Sequence, residues 1–357
     1  MPVKPFHENR FDSIQILRGI AALFVVLEHI RFLNCGAFGV DIFFCISGFM
    51  IMFTTQKNTR FFLCKRILRI VPLYWLATIG TFLLLLLFPG MFRQSTANTA
   101  YLIKSLLFIP FDIGGGTLQP LMRIGWTVNC EMFFYLLFFI AFHLNHKYRG
   151  VIVSGLILFI FGAAQVLPVN FAPLSFYGNA VMLEFILGIL VYYACFGIWE
   201  INRQKPLPRW VGTFGLVAVL FLFFLLLWTK PTIDVTGIRR PFVWGIPAAL
   251  IVLSVFVAGV GMTNQALHRS SAPGSVRFTQ TFRHSLVQLG NMSFSLYLVH
   301  YYPVMVLDRL VFDFSACTPY TLFGTAVCIA VSVALAYLIW YLIEQKLTGF
   351  LRRILLP

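Results

Sequence analysis

Long runs of hydrophobic positions, separated by short polar connections, dominate the chain. The hydrocarbon core of a bilayer is about 30 Å thick, and a helix of about 20 mostly apolar residues crosses it. By this criterion the pattern predicts ten membrane-spanning helices, at residues 14–33, 37–55, 70–91, 124–144, 151–168, 180–199, 210–229, 242–261, 287–306 and 322–343. The apolar stretch 101–110 is too short to span, and we interpret it as an interfacial or re-entrant piece. The chain is therefore predicted to be an all-α polytopic membrane protein, with one domain over residues 1–357, a membrane core at about 14–343 and no appended soluble domain.

The composition agrees with a protein whose solvent is mostly lipid. Of the 357 residues, 59% are hydrophobic and 11% are charged, whereas about 25% are charged in a typical soluble protein. A soluble protein could not cover this much apolar surface with polar side chains. Soluble, disordered and disulfide-scaffold proteins are therefore excluded. We expect a multi-pass membrane protein, with membrane lipids around it.

The excess of positive charge is explained by membrane topology. A formal net charge of +15 could indicate nucleic-acid binding, but cytoplasmic loops of membrane proteins also collect Lys and Arg. With the N-terminus inside, 18 of the 27 Lys and Arg residues fall on the inner side and 8 on the outer side. This distribution predicts two cytoplasmic termini and no nucleic-acid partner. The seven cysteines show neither a CxxC pair nor metal-ligand spacing, so no metal is expected.

The first predicted span carries the ionisable residues Arg18, near its inner end, and His29, near its outer end. Such groups are costly inside a membrane and mark function by default. Eleven positions separate them, which places them within about 20° of the same helix face and roughly 16 Å apart along the helix axis. The alternative is that Arg18 extends to the inner headgroups and that His29 is a satisfied residue at the outer helix end.

Asp41 lies in the second predicted span, across a short outer connection from His29. A carboxylate beside a histidine raises its basicity and fixes its tautomer, so this pair would make His29 a general base. The alternative is a structural Asp–Arg or Asp–His pair. Farther along the same span, Ser47 precedes Gly48, and a glycine there lets another backbone or a ligand approach closely.

A basic segment precedes the third predicted span. Arg66 and Arg69 stand at i and i+3 on one helix face at the inner membrane surface, with Lys65 beside them. Guanidinium groups bind phosphate oxygens with paired hydrogen bonds. The segment is therefore a candidate phosphate site, and the alternative is a positive-inside anchor.

The fourth and ninth predicted spans carry further polar groups. Glu131 lies near the outer end of the fourth span, close to Trp126, with Tyr135 one turn later. A lone Glu in an apolar helix should be protonated or paired. The ninth span contains Asn291, Ser293, Ser295, Tyr297 and His300, and such side chains can also serve only to hold helices together. Glu184, in the sixth span, is a single acid and less informative.

Five motifs in order resemble those of the acyltransferase-3 family of integral membrane acyltransferases, especially its exopolysaccharide and O-antigen O-acetyltransferase branch. They are Arg18-x10-His29; Gly39-Val40-Asp41 with Phe43-Phe44 and Ser47-Gly48-Phe49; Arg66-xx-Arg69 with Pro72 and Tyr74; Trp126-Thr127 with Glu131 and Tyr135; and Ser293 to Leu298 with His300. The chain departs from the family after the last span, where Glu344 is not followed by the usual E-x-P pattern. Each motif is weak by itself, but five in sequence on a ten-span pattern are specific.

The resemblance implies an enzyme of a bacterial-type cell (inner) membrane that moves an acyl group, expected to be acetyl, from cytoplasmic acyl-CoA (acetyl-CoA) to a hydroxyl of a cell-surface or lipid-linked polysaccharide. In this interpretation the catalytic residues are His29, Asp41 and Arg18. The acyl-CoA site comprises Arg66, Arg69, Lys65 and Tyr74. The saccharide acceptor site comprises Ser47, Trp126, Glu131, Ser293, Tyr297 and His300. The sequence leaves open whether the group moves directly or through an acyl-His29 intermediate, and it leaves open the acceptor sugar and the oligomeric state.

Two other classes of protein remain as alternatives. A transporter or flippase of sugars or organic acids should show internal repeats and broken helices in matching positions, and the sequence shows neither clearly. In a membrane scaffold or sensor, the buried polar groups would only hold helices together. An acyl-transfer assay in detergent separates these classes.

Overall fold

A computed structural model describes residue 6 and residues 11–57, 61–91, 97–113, 116–167, 171–233, 235–266 and 275–356. The α-helices in this part of the chain are α1 (Asp12–Glu28), α2 (Gly39–Thr54), α3 (Phe62–Leu87), α4 (Thr99–Leu106), α5 (Trp126–Leu144), α6 (Arg149–Val166), α7 (Ala172–Tyr177), α8 (Leu183–Gln204), α9 (Arg209–Thr232), α10 (Ile246–Ala266), α11 (Ser275–Asn291), α12 (Ser293–Val299), α13 (Tyr301–Leu307), α14 (Pro319–Ile339) and α15 (Thr348–Leu355). Lys4, Arg10, Arg60, Arg93 and Arg269, which contribute to the predicted topology, lie outside the described residues.

Seven helical stretches are long and apolar enough to cross a membrane. They are Phe62–Leu87, Arg123–Leu144, Arg149–Val166, Ala180–Gln204, Trp210–Thr229, Pro241–Gly261 and Pro319–Leu355. They correspond to seven of the ten predicted spans, and no β-strand occurs among the described residues. The prediction of an all-α, multi-pass membrane protein is confirmed.

The other three predicted spans take shorter helical forms. The first is the 17-residue α1, and the second is the 16-residue α2. The ninth is divided among α11, α12 and α13, with breaks at Met292 and His300. The total of ten spans therefore stays a prediction.

The basic segment belongs to a membrane helix rather than to the connection before it. The pattern predicts a third span from residue 70, but α3 begins at Phe62 and continues without a break to Leu87. Lys, Arg and Leu are good helix formers, so the helix extends back through the charged residues. Pro72 consequently lies inside α3 rather than in its first turn, as membrane helices tolerate.

The chain divides into two compact units. The first unit comprises Met1–Asn58 and Glu184–Ala336, and the second comprises Thr59–Leu183 and Tyr337–Pro357. In the first unit α1 packs on α2, α10, α11 and α12. In the second unit α3 packs on α4, α5 and α15, and α5 packs on α6.

Glycines bring two helix pairs of the first unit into close contact. A Cβ on Gly48 of α2 would lie 2.2 Å from the carbonyl oxygen of Phe185 in α8, and a Cβ on Gly188 of α8 would lie 2.1 Å from that of Cys45. Between α1 and α11, a Cβ on Gly290 would lie 1.8 Å from the carbonyl oxygen of Gln15. Only glycine permits these approaches, so the sequence fixes how closely the site-bearing helices pack.

Candidate functional site

His29 and His300 lie against each other in the first unit, although 271 positions separate them. His29 is the residue at which α1 ends, and His300 joins α12 to α13. Nδ1 of His29 lies 3.2 Å from Nε2 of His300, and the ring centres are 4.8 Å apart. His300 is fully buried and His29 is half-buried. The structure thus joins a residue expected in catalysis to one expected at the acceptor, and we call them the histidine pair.

Backbone carbonyls fix the tautomers of both rings. Nδ1 of His300 lies 2.7 Å from the carbonyl oxygen of Tyr297, and Nδ1 of His29 lies 2.9 Å from that of Val25. Because a carbonyl oxygen only accepts hydrogen bonds, each neutral ring carries its proton on Nδ1. The Nδ1–H of His29 is then shared between the Val25 carbonyl and Nε2 of His300, which accepts. The basic nitrogen of His29 is therefore Nε2.

Arg18 lies on the same helix as His29, about 16 Å away along the axis. Its Nη1 donates a hydrogen bond to Oε1 of Gln15 at 3.3 Å. Nε2 of Gln15 in turn donates to Oδ1 of Asn291 in α11 at 3.0 Å. Arg18 is half-buried and belongs to the polar contact between α1 and α11.

Asp41 binds Arg240 rather than His29. Nε of Arg240 donates to Oδ1 of Asp41 at 2.9 Å, and Nη2 donates to Oδ2 at 3.0 Å. Glu184 lies beside them, with its Oε1 3.9 Å from Nε of Arg240. The structural Asp–Arg pair that the sequence left open is therefore the one formed, and the expected Asp41–His29 contact is corrected. We call Asp41, Glu184 and Arg240 the carboxyl cluster.

Helix geometry explains why Asp41 pairs with Arg240 rather than with His29. A Cβ on Gly39 would lie 2.6 Å from the carbonyl oxygen of Ala21 in α1, so Gly39 faces α1. Asp41 follows two positions later, about 200° around the helix, and shares a stripe with Phe44 and Gly48. This stripe faces α8, since the rings of Phe44 and Phe185 are 4.8 Å apart. Asp41 consequently turns away from the helix that carries His29.

The remaining acceptor candidates of the first unit have different surroundings. Tyr297 and Ser293 are buried in α12, and the Tyr297 ring lies 6.1 Å from Phe43 and 6.0 Å from His300. The hydroxyl oxygen of Ser293 has no hydrogen-bond partner among the described residues. Ser47 is half-buried in α2. Tyr297 and His300, three positions apart in the chain, are thus neighbours.

In the second unit, Arg66 lies over aromatic rings beside Glu131. The guanidinium carbon of Arg66 is 5.2 Å from the ring centre of Tyr135 and 5.8 Å from that of Phe62. The Tyr135 hydroxyl donates a hydrogen bond to Oε1 of Glu131. Arg66 is 9% exposed. The structure therefore places Arg66, expected at the donor side, in one cluster with Glu131, expected at the acceptor side.

The other predicted residues of the second unit vary in exposure. Lys65 is exposed and Arg69 is half-buried. Tyr74 is fully buried; its ring stacks on Phe108 at 4.9 Å, and its hydroxyl donates to the carbonyl oxygen of Ser105 at 3.1 Å. These contacts make Tyr74 part of the helix packing. Trp126 begins α5 and is half-buried.

An ion-pair group near the histidine pair was missed by sequence reasoning. Nη2 of Arg31 lies 2.9 Å from Oδ1 of Asp308 and 2.5 Å from Oδ1 of Asp313. Arg31 follows His29 by two positions, and Asp308 follows α13. This group ties the end of α1 to the end of α13. Arg31 and Asp308 are 277 positions apart. A single sequence does not show which distant charges pair, so this group could not be predicted.

Comparison with known proteins gives two informative relatives. The chain is 30% identical over 300 residues to the exopolysaccharide production protein ExoZ of Rhizobium meliloti (strain 1021), covering 81% of this chain and 83% of that protein. It is 24% identical over 338 residues to the O-acetyltransferase OatA of Staphylococcus aureus (strain NCTC 8325 / PS 47), covering 85% of this chain and 52% of that protein. No solved structure matches the chain.

The family comparison covers both units and all the motifs. Residues 11–340 match the family described as "Acyltransferase domain", and this range includes the histidine pair, the carboxyl cluster and Arg66. The helices add that the enzyme is a multi-pass membrane protein. The chain therefore belongs to the acyltransferase-3 family and is a membrane O-acyltransferase.

Proposed function

We propose that this enzyme moves an acyl group, expected to be acetyl, from cytoplasmic acyl-CoA to a hydroxyl of a cell-surface or lipid-linked polysaccharide. The names of its relatives, an exopolysaccharide production protein and an O-acetyltransferase, favour a saccharide acceptor. The observation that carries the proposal is the histidine pair, because its hydrogen bonds present a basic nitrogen of the kind that acyl transfer to a hydroxyl requires.

The proposed chemistry centres on Nε2 of His29. This nitrogen takes the proton of the sugar hydroxyl while the hydroxyl oxygen attacks the thioester carbon. The C–O ester bond forms, the C–S bond breaks, and the proton passes from His29 to the departing thiolate to give free CoA. His300 holds the His29 ring in position through the Nδ1–H bond, and its own Nε2 stabilises the imidazolium that forms.

The same nitrogen could instead attack the thioester and carry the acyl group as acyl-His29. In that case the protein quenched after mixing with acetyl-CoA alone would gain the mass of one acetyl group, and this mass would be absent from His29→Ala. In direct transfer no such species accumulates, and the acceptor must be present before CoA is released.

For the donor, we propose that the basic segment binds the CoA phosphates. Lys65 and Arg69 reach the surface to different extents, and they supply the outermost positive charges. Arg66 lies deeper, over Tyr135 and beside Glu131. We expect Arg66→Ala with Arg69→Ala to raise the KM for acyl-CoA, whereas Arg352→Ala, which removes an exposed charge of α15, should leave it unchanged. An unchanged KM in the double variant would return these arginines to the role of membrane anchors.

We further propose that both termini are cytoplasmic, as the charge distribution predicts. Two exposed free cysteines allow a direct test, since Cys64 is expected on the inner side and Cys317 on the outer side. In single-cysteine variants, a membrane-impermeant maleimide should label Cys317 in intact cells and Cys64 only after permeabilisation. The reverse pattern would invert the topology.

The experiment that tests the function is mass spectrometry of surface glycans from cells with the enzyme, without it, and with His29→Ala. We expect an acyl group on the glycan only with the native enzyme. The same purified protein should release free CoA from acetyl-CoA when acceptor is added. Identical glycans in all three strains, together with transport of a sugar or organic acid, would favour the transporter class instead.

A further inference from the structure

The carboxyl cluster has two acids for one base in the interior of the first unit. Asp41 and Glu184 have fully buried side chains, and the side chain of Arg240 is 20% exposed. The guanidinium also lies 5.4 Å from the Trp244 ring centre, so aromatic surface covers part of it. If both acids were ionised, the cluster would hold one net negative charge on carboxylates that are fully buried from solvent, which is costly.

The two acids are not equivalent. Both oxygens of Asp41 accept hydrogen bonds from Arg240, at 2.9 and 3.0 Å. Neither oxygen of Glu184 has such a donor among the N–H and O–H groups of the described residues. The Glu184 carboxyl instead lies beside that of Asp41, because Nε of Arg240 is 2.9 Å from Oδ1 of Asp41 and 3.9 Å from Oε1 of Glu184. Two carboxyl groups can share a hydrogen bond only if one of them carries a proton.

The proton belongs on Glu184. Protonating Asp41 would give up its paired bond with Arg240, which is among the strongest that a carboxylate makes. Protonating Glu184 converts one of its two unsatisfied oxygens into a donor for Asp41 and removes the repulsion between like charges. A metal cation fits poorly in the same place, because Nε of Arg240 lies only 3.9 Å from Oε1 of Glu184 and would repel it.

We propose that Glu184 is a proton-binding site: its carboxyl group holds a proton and donates it to Asp41, so that the carboxyl cluster is neutral overall. The cluster then helps to hold α2 in place, since α2 makes contacts on both of its faces. Asp41 ties one face to α8 and to Arg240, while Gly39 and Phe43 on the other side pack on α1 and on Tyr297. Glu184 is in this sense a positioning residue for the helices that carry the histidine pair.

Infrared spectroscopy of the purified protein in detergent at pH 7 tests the proposal without any assay of acyl transfer, so it stands apart from the proposed function. The wild type should show the carbonyl stretch of a protonated carboxylic acid, shifted in D2O, and Glu184→Gln should lack it. Glu28→Gln is the matched control, because Glu28 accepts hydrogen bonds from the backbone N–H groups of Gly36 and Ala37 and lies outside the carboxyl cluster; its variant should keep the band.

Thermal unfolding of the same variants gives the second readout. Glutamine is neutral, similar in shape and able to donate to Asp41, so Glu184→Gln should keep the wild-type Tm, whereas Glu184→Ala should lower it. The proposal is overturned if Glu184→Gln retains the acid band, if its Tm falls as far as that of Glu184→Ala, or if it fails to fold. Any of these results would mean that Glu184 is ionised and paired with Arg240.

Discussion

The histidine pair and the carboxyl cluster are two buried polar groups of the same unit, and they satisfy burial differently. In the pair, carbonyl oxygens of Val25 and Tyr297 accept from neutral rings. In the cluster, the guanidinium of Arg240 donates hydrogen bonds to both carboxylate oxygens of Asp41. A neutral imidazole can gain and release a proton at little cost, whereas breaking a buried ion pair leaves an uncompensated charge. The difference assigns chemistry to the pair and helix positioning to the cluster.

The largest expected effect separates these two roles at His29. His29→Ala should lower acyl-transfer kcat/KM by about 10²- to 10⁴-fold, the usual contribution of a general base, with little change in Tm. His143→Ala is the matched control, because His143 is exposed and its Nδ1 also lies 2.8 Å from a backbone carbonyl, that of Phe139. Steady-state kinetics and thermal unfolding on both variants measure the contrast. Equal activity of the two variants would contradict the catalytic role.

For substitutions of Asp41 we expect the opposite pattern, in which Tm changes more clearly than acyl-transfer activity. Asp41→Asn removes the charge that faces Arg240, and breaking a buried pair in this way costs about 3–5 kcal/mol of stability. We therefore expect a clear fall in Tm that is seen before any assay of activity. A variant with native Tm and lost activity would instead make Asp41 a direct participant in the reaction.

His300→Ala should have an intermediate effect that is confined to activity. Residues that orient a ring through its second nitrogen typically contribute about 10- to 100-fold, so kcat should fall by less than in His29→Ala. The KM for acyl-CoA should stay the same, because the change touches the base and not the basic segment. A larger loss than in His29→Ala would exchange the roles of the two histidines.

The smallest effect is expected for the exposed ion pairs beside the histidine pair. The Arg31 side chain is 53% exposed, and surface ion pairs contribute about 0–1 kcal/mol. Arg31→Ala should therefore lower Tm far less than Asp41→Asn, and the difference should shrink further in high salt. A loss as large as that of Asp41→Asn would show that this connection anchors the histidine pair.

The membrane spans were predictable where apolar runs are long and uninterrupted. They were not predictable where polar residues interrupt the runs. Seven spans follow directly from the length of their runs. The dense polar groups of the ninth predicted span belong to three helices that meet at Met292 and His300. The helix α3 begins at Phe62, eight residues before the predicted third span, because residues 62–69 are rich in helix formers.

At the site, sequence spacing identified residues but not their partners. The motifs singled out His29, His300 and Asp41, and the structure buries Asp41 and His300 and half-buries His29. Contacts over 271 and 199 positions depend on how helices pack, and a helix-face argument holds only within one helix. Arg240 was therefore interpreted only as a charge of a predicted outer connection. Glu184 belonged to no motif, so its position beside Asp41 was not predicted.

The central claim is that His29 and His300 act as one unit, and a double-mutant cycle on kcat/KM tests it most directly. Acyl transfer from acetyl-CoA would be measured for the wild type, His29→Ala, His300→Ala and the double variant. If His300 acts only by orienting His29, the double variant should be no slower than His29→Ala alone. If instead the two losses multiply, the histidines act independently and the account of the pair is wrong.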